Sequence, residues 1–119
     1  MTGSLDKRRH HRFLAVLDVR VLPGDRVPSD LKLATIDIAL GGARCGSNRP
    51  LEEGSRLQIT LTLVGGGLAI PVSIEADARV LRSAESPAAP EARRYEVALE
   101  FVRMEPQDRR RLQAYLNNL

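Results

Sequence analysis

The stretch RLQITLTL, residues 56–63, alternates polar and apolar side chains without a break. A period of two residues is the pattern of a β-strand with one buried face. The apolar members of the stretch must therefore point at a core, and they are Leu57, Ile59, Leu61 and Leu63. This segment predicts a protein built from a half-buried sheet.

The same alternation recurs on both sides of this stretch. Residues 13–21 place Phe13 and every second residue after it on one face, and residues 95–101 form another alternating strand. Residues 70–80 alternate over a length that predicts a bent strand serving two parts of a curved sheet. Glycines 65–67 predict the hairpin turn between two of these strands, because glycine accepts positive φ.

The last part of the chain changes to helical spacing. Residues 106–118 are predicted to form a helix, with Pro106 in its first turn and Asp108 near the positive end of the helix dipole. One apolar stripe is expected to cap an open end of the sheet, and it consists of Leu112, Tyr115, Leu116 and Leu119. The polar loop before the last strand, residues 83–93, contains two prolines and is expected to be disordered. Five or six strands followed by one helix indicate a small antiparallel barrel or sandwich.

Length and composition restrict the class of protein. A chain of 119 residues with 43% hydrophobic residues suits one globular domain. Cys45 is the only cysteine, which excludes an internal disulfide and favours a reducing compartment. The N-terminus has no apolar stretch of signal-peptide length, and no part of the chain has an apolar run as long as a membrane helix, so we expect a cytoplasmic protein with no membrane insertion.

The opening segment KRRHHRF, residues 7–13, concentrates positive charge before the first strand. Its cations face a single carboxylate: Lys7, Arg8, Arg9 and Arg12 stand against Asp6. An anionic partner would explain this charge, and so would an arm that simply stays in water. His10 and His11 lack companion ligands for a metal, and no nucleophile with a paired base is recognisable, so an enzyme is not expected.

The segment LKLATIDIALGGARC, residues 31–45, departs from the clean alternation. Its isoleucines fall in the opposite phase to the leucines before them, so a β-bulge near Ala34 and Thr35 must absorb one residue. This interpretation places Ile36 and Ile38 on the inward face.

Asp37 and Ala39 would then point outward together, and Gly41 and Gly42 follow at once. A carboxylate accepts hydrogen bonds from the ring and exocyclic nitrogens of guanine, and glycine lets a ligand approach bare backbone. This segment is therefore a candidate half-site for a base. An ordinary surface charge followed by an ordinary hairpin would have the same sequence.

Two motifs occur together in this chain. Arg8 and Arg12 in RRHHR have the spacing Arg-x-x-x-Arg, and DIALGG supplies Asp37 and Gly42 of Asp/Asn-x-Ser-x-x-Gly, with Ala39 at the serine position. Together with the closing stretch YEVALEFVRMEPQDRRRLQAYL, these motifs resemble the PilZ domain family, whose members commonly bind the bacterial second messenger cyclic di-GMP. The resemblance implies a six-stranded antiparallel β-barrel over residues 13–119, closed by the C-terminal helix, and a flexible basic arm over residues 1–12.

The resemblance also implies roles for individual residues. Arg8 and Arg12 would bind phosphate and the Hoogsteen edge of guanine, with Arg9 as a further contact. Asp37 would hold guanine from the strand side. Ala39 lacks the usual serine hydroxyl, which would weaken binding by roughly two- to tenfold.

The backbone at Gly41 and Gly42 would let the guanine ring come close. The implied function is a cyclic di-GMP receptor that closes its arm on the nucleotide and acts on a downstream protein of unknown identity, with no cofactor. A ligand-independent adaptor of the same fold is the main alternative. A barrel that binds single-stranded nucleic acid is less favoured, because the few aromatic residues all suit core or helix-packing positions.

Overall fold

The computed structural model describes residues 12–24 and 26–119. Over these residues the strand segments are β1 (Phe13–Leu14), β2 (Asp18–Val21), β3 (Leu33–Ala39), β4 (Gly42–Ser47), β5 (Arg56–Leu63), β6 (Val72–Glu85) and β7 (Tyr95–Arg103). A 3₁₀ helix, Glu91–Arg93, precedes β7, and the α-helix α1, Pro106–Asn117, ends the fold. Most of the predicted flexible arm, residues 1–11, is outside the described residues.

The segments β1 and β2 are two parts of one N-terminal strand, because both pair with β3. Thr35 of β3 holds the backbone between them. Its hydroxyl accepts a hydrogen bond from the amide of Leu17 (2.8 Å) and donates one to the carbonyl of Ala15 (2.5 Å). The buried hydroxyl therefore satisfies backbone groups where the ladder is interrupted.

The described strands close into a barrel. The N-terminal strand pairs with β5, and the order continues through β6, β7, β4 and β3 back to the N-terminal strand, with every pairing antiparallel. The described chain is thus a six-stranded antiparallel closed β-barrel with one C-terminal helix, as predicted. Closure removes the exposed sheet edges that an open sandwich would leave.

Alternation in the sequence decides which side chains fill the barrel. All four apolar residues of RLQITLTL are buried, as predicted. In the N-terminal strand Leu17 and Val19 are buried, with Phe13 packed against the core, whereas Leu14 and Val16 are exposed. No helix in the described part of the chain is long and apolar enough to cross a membrane.

Strand β6 is the bent strand that the sequence predicts. Its first half pairs with β5 and its second half with β7, and the register shifts between Asp77 and Ala78 and again between Val80 and Arg82. Bulges of this kind increase local bend and twist. The prediction that the strand starts at Ile70 is wrong: Ile70 is 72% exposed.

The loop predicted to be disordered is built into the barrel. Strand pairing continues to Glu85, and beyond it the amide of Ser86 donates to the carbonyl of Arg94 (2.7 Å). The 3₁₀ helix then occupies the last part of the connection before β7. Proline-rich composition suggested disorder, but these backbone hydrogen bonds hold the loop as an extension of the β6–β7 hairpin.

The predicted bulge in β3 is displaced by one residue. The register with β4 shifts between Thr35 and Asp37, so Ile36 is the extra residue. Ile38 is fully buried as expected, but the inward placement of Ile36 is wrong, since this side chain is half-buried and outside the core cluster. Thr35 is the buried residue that faces Cys45 instead.

Helix α1 packs at one end of the barrel and ends one residue before the predicted limit. Leu112, Tyr115 and Leu116 are buried as predicted, but Leu119 is 47% exposed and follows the helix. Asp108 accepts a hydrogen bond from the backbone amide of Glu75 (3.1 Å), which ties the first turn to β6. The helix is thus held by apolar burial and by this contact at its N-terminal end.

The glycine turn between β5 and β6 lies under the helix. Glycines 65–67 all have positive φ, as the turn prediction requires. A Cβ on Gly66 would come within 2.8 Å of the Tyr115 ring, and the Tyr115 hydroxyl donates to the carbonyl of Val64 (2.7 Å). The turn is therefore shaped to receive an aromatic side chain from the helix.

Candidate ligand-binding cleft

A row of side chains crosses five strand segments on the outside of the barrel. Each residue is the cross-strand partner of the next, in the order Leu14 (β1), Asp37 (β3), Arg44 (β4), Ala98 (β7) and Arg82 (β6). Directly opposite residues in antiparallel strands share one face, with Cβ atoms about 5 Å apart. The register of the barrel therefore brings residues far apart in sequence into one line.

This row forms the floor and walls of a cleft of about 450 Å³, to which Arg12 and Glu96 also contribute. Small-molecule sites in proteins commonly enclose about 300–1,000 Å³. Three guanidinium groups and two carboxylates line the cleft, so its net charge is positive. The cleft thus has the size and the sign of charge that suit an anionic small molecule.

Asp37 is the centre of the cleft and is only 5% exposed. Arg12 donates to its Oδ1, and Arg44 donates to its Oδ2 through Nε at 3.0 Å and through Nη2 at 2.8 Å. A buried carboxylate requires such partners, because burial without them is costly. Asp37 therefore holds two guanidinium groups in place beside the cleft.

Arg44 links two carboxylates that belong to different strands. Besides Asp37 on β3, it contacts Glu96 on β7, with 3.4 Å between Nη1 and Oε2. Arg82 forms no ion pair with any residue in the described ranges. The charges at the β4 side of the cleft are thus mutually compensated, whereas the guanidinium at the β6 side has no ion-pair partner within residues 12–24 and 26–119.

The structure brings together part of the predicted site. Arg12 and Asp37 are in direct contact and both line the cleft. Arg8 and Arg9 lie outside the described residues, so their predicted contacts stay predictions. Asp37 is on the outer face, as expected, but it is covered by two arginines and is not the open surface charge of the simpler interpretation.

The turn residues of the second motif have a different place. Ala39 is buried, pairs with Gly42, and does not line the cleft. Leu40 and Gly41 form the two-residue turn, and the carbonyl of Gly41 accepts a hydrogen bond from Phe101 (2.8 Å). A Cβ on Gly42 would lie 2.2 Å from the carbonyl oxygen of Leu99. Close packing of β4 on β7 therefore explains this glycine without a ligand.

Three charged cleft residues were missed by the sequence interpretation: Arg44, Arg82 and Glu96. A hairpin turn at Gly41 and Gly42 would have set Asp37 opposite Gly46, whereas the observed turn at Leu40 and Gly41 sets it opposite Arg44. No sequence signal exists for Arg82, whose position depends on the register shift after Val80. Local sequence does not reveal such a shift.

The single cysteine of the chain lies in the core on β4. Cys45 is fully buried, and burial together with the negative charge of Asp37 raises the pKa of its thiol to about 12. A thiol with this pKa is protonated at neutral pH and is a poor nucleophile. Within the described ranges, no three His, Cys, Asp or Glu side chains cluster in a way that could hold a metal ion.

The family model described as PilZ domain matches residues 6–118. The chain belongs to the PilZ domain family. PilZ domains are receptor and adaptor modules. A search of curated proteins finds no match.

Two solved structures show the same fold. The Bacillus subtilis inhibitor of motility, MotI or DgrA, is 22% identical with a TM-score of 0.71 over 94% of this chain, which spans 51% of the Bacillus chain. The PilZ domain of YcgR from Escherichia coli, solved with cyclic di-GMP, is 20% identical with a TM-score of 0.70 over 96% of this chain and 92% of the other. At these identities the likeness concerns the fold alone.

Proposed function

We propose that this PilZ domain is a bacterial, cytoplasmic receptor that binds cyclic di-GMP in the cleft around Asp37 and acts on a protein partner. One observation carries the proposal. Asp37 holds the guanidinium groups of Arg12 and Arg44 at a positively charged cleft of about 450 Å³. Arg12 is the second arginine of the Arg-x-x-x-Arg motif. The cyclic di-GMP in the YcgR structure, which has the same fold, adds support.

The ligand chemistry suits these groups. Cyclic di-GMP has two phosphodiester charges and two guanines, and a guanidinium can bind phosphate in a bidentate manner, stack on a purine, or bind guanine O6 and N7. Arg12 is 37% exposed, so its remaining N–H groups can reach a ligand. The Asp37 carboxylate is buried, but it keeps its bonds to Arg44 when a phosphate engages the exposed N–H groups of Arg12.

Arg8 and Arg9 complete the site in this proposal. They precede Arg12 by four and three residues, so an arm that starts at Arg12 can bring them over the same cleft. Ordering the arm costs on the order of 1–2 kcal/mol per residue, and binding of two phosphodiesters offsets that cost. The closed arm then forms a new surface beside the cleft that a partner protein can recognise.

Titration calorimetry with cyclic di-GMP tests the proposal. The unmodified protein is expected to bind at micromolar concentration or tighter, and Arg12→Ala and Asp37→Ala each weaken binding by at least about tenfold. Arg49→Ala is the matched control, because Arg49 also pairs with an aspartate, Asp30, but lies outside the cleft. Absence of heat with the unmodified protein, or equal loss in the Arg49 variant, contradicts the proposal.

A ligand-independent adaptor is the second candidate, and the alanine at position 39 favours it. The hydroxyl of the family motif is absent there, and Asp37 is already satisfied by two arginines. An adaptor would show no heat with cyclic di-GMP and would keep its partner interaction in the Arg12→Ala variant. Competition by oligonucleotides as strong as that by the dinucleotide would instead indicate a nucleic-acid-binding barrel.

A further inference from the structure

The β6–β7 side of the cleft contains two charged residues, Arg82 and Glu96, that neither family motif includes. Ala98 on β7 is the cross-strand partner of both Arg44 and Arg82. The two arginines are thus two strand spacings apart, about 10 Å between backbones. Because the side chain between them is a methyl group, the floor of the cleft is open above Ala98.

Glu96 borders the same opening. It is two residues from Ala98 on β7, so it lies on the same face of the strand, and its side chain is 35% exposed. The only hydrogen bond or ion pair of its side chain among the described residues is the 3.4 Å approach of Oε2 to Arg44. Long hydrogen bonds are weak, so this carboxylate keeps acceptor capacity for a ligand.

Asp37 differs from Glu96 in this respect. Both oxygens of Asp37 already accept from arginine, one from Arg12 and the other from Arg44. In the structure as it stands, Glu96 is therefore the cleft carboxylate with an oxygen free of described partners. Arg82, on the other side of Ala98, has a guanidinium with no described ion-pair partner.

A guanine base complements this arrangement. Its Watson–Crick edge presents the N1–H and the exocyclic amino group as donors, which a carboxylate can accept together. Its O6 and N7 are acceptors for an arginine. Adenine has an unprotonated N1, which would place a lone pair against the carboxylate.

We infer that Glu96 and Arg82 form a guanine subsite above Ala98, in which Glu96 selects guanine over adenine. The inference rests on the proposed function, since it assigns one base of the bound dinucleotide to this subsite. It adds β6 and β7 residues to a site that the sequence motifs locate only on the arm and on β3–β4.

Calorimetry with two dinucleotides tests the selection. The affinities for cyclic di-GMP and cyclic di-AMP are measured for the unmodified protein and for Glu96→Gln, which keeps the shape of the side chain but removes its charge. The unmodified protein should prefer cyclic di-GMP, and Glu96→Gln should reduce that preference by about tenfold or more, the size expected for a hydrogen bond to a charged group. Arg82→Ala should weaken cyclic di-GMP binding by about tenfold.

Glu100→Gln is the matched control. Glu100 is also on β7 and also pairs with an arginine, Arg79 (2.5 Å), but neither residue lines the cleft. This variant should keep the preference of the unmodified protein. Because the measured quantity is a ratio of two affinities for one variant, a general loss of folded protein does not change it.

The outcomes separate the inference from the proposed function. If the unmodified protein binds cyclic di-GMP and Glu96→Gln keeps the full preference, the guanine subsite is wrong and the receptor function stands. An unmodified protein that binds both dinucleotides equally also overturns the subsite. If the unmodified protein binds neither, the receptor function fails and the subsite fails with it.

Discussion

Two depressions on the same barrel differ in what lines them. The groove between helix α1 and the glycine turn, about 270 Å³, is lined largely by apolar residues and by the Tyr115 ring. The cleft on the outer face, about 450 Å³, is lined largely by charged residues. The groove lies at the end of the barrel core that helix α1 covers. The cleft lies outside the core, and its side chains do not help to cover the core.

The energetic terms differ in the same way. At the helix end, burial of apolar surface provides the stability, and burial also raises the pKa of Tyr115 while its hydroxyl is bonded to Val64. In the cleft, Arg12 and Arg44 are 37% and 43% exposed and share the buried Asp37 carboxylate, so loss of one arginine still leaves that carboxylate paired with the other. Substitutions at the helix end should therefore change stability, and substitutions in the cleft should change ligand affinity.

Leu112→Ala is the strongest test of this division. Leu112 is fully buried between the helix and the barrel, so its truncation should lower the free energy of unfolding by about 2–5 kcal/mol. Urea denaturation measures the loss, and Leu119→Ala is the control because Leu119 is exposed and should change stability by less than about 0.5 kcal/mol. Weaker cyclic di-GMP binding by the folded fraction of Leu112→Ala would show that the helix end also affects ligand affinity.

Gly42→Ala tests whether a residue of the second motif serves stability or ligand binding. The added methyl group would lie 2.2 Å from the carbonyl oxygen of Leu99, so β4 and β7 must separate, at a cost of about 2–3 kcal/mol. Gly24→Ala is the control, since its nearest neighbour would be the Val27 side chain at 3.8 Å. Thermal unfolding without any ligand measures both. An unchanged melting temperature for Gly42→Ala would indicate that this glycine serves the ligand instead.

Gly66→Ala sharpens the description of the helix end. The residue has φ of +58° and its new methyl group would come within 2.8 Å of Tyr115, so the loss should be about 2 kcal/mol. Gly65→Ala has the same backbone strain but open space around it, and about 1 kcal/mol is expected. Equal losses in urea denaturation would mean that the contact with Tyr115 is unimportant.

Ala39→Ser has the smallest expected effect and concerns a buried motif residue two positions from Asp37 on β3. Restoring the hydroxyl of the family motif should tighten cyclic di-GMP binding by roughly two- to tenfold, the worth of one neutral hydrogen bond. Ala43→Ser is a control on the neighbouring strand, because Ala43 is buried in the core cluster. Weaker binding by Ala39→Ser would show that the buried position leaves no room for the hydroxyl to reach a ligand.

Much of the fold could be predicted from local patterns. The buried faces of β5 and of the N-terminal strand follow from strict alternation, and helix α1 follows from its apolar spacing and Pro106. The errors lie at element ends and irregularities, as at Ile70, Ile36 and Leu119. Pairing partners and packing decide such positions, and neither is encoded in a short window of sequence.

The sequence by itself determined which residues alternate, which turn is tight, and that Asp37 follows a basic arm. The sequence interpretation missed Arg44, which the turn at Leu40 and Gly41 sets opposite Asp37. Only the tertiary structure decided that Arg82 and Glu96 join them, because two register shifts in β6 and the closure of the barrel set those positions. The burial of Asp37 has the same origin, since its two arginines come from opposite sides of β3 and meet only when β1 and β4 both pair with that strand.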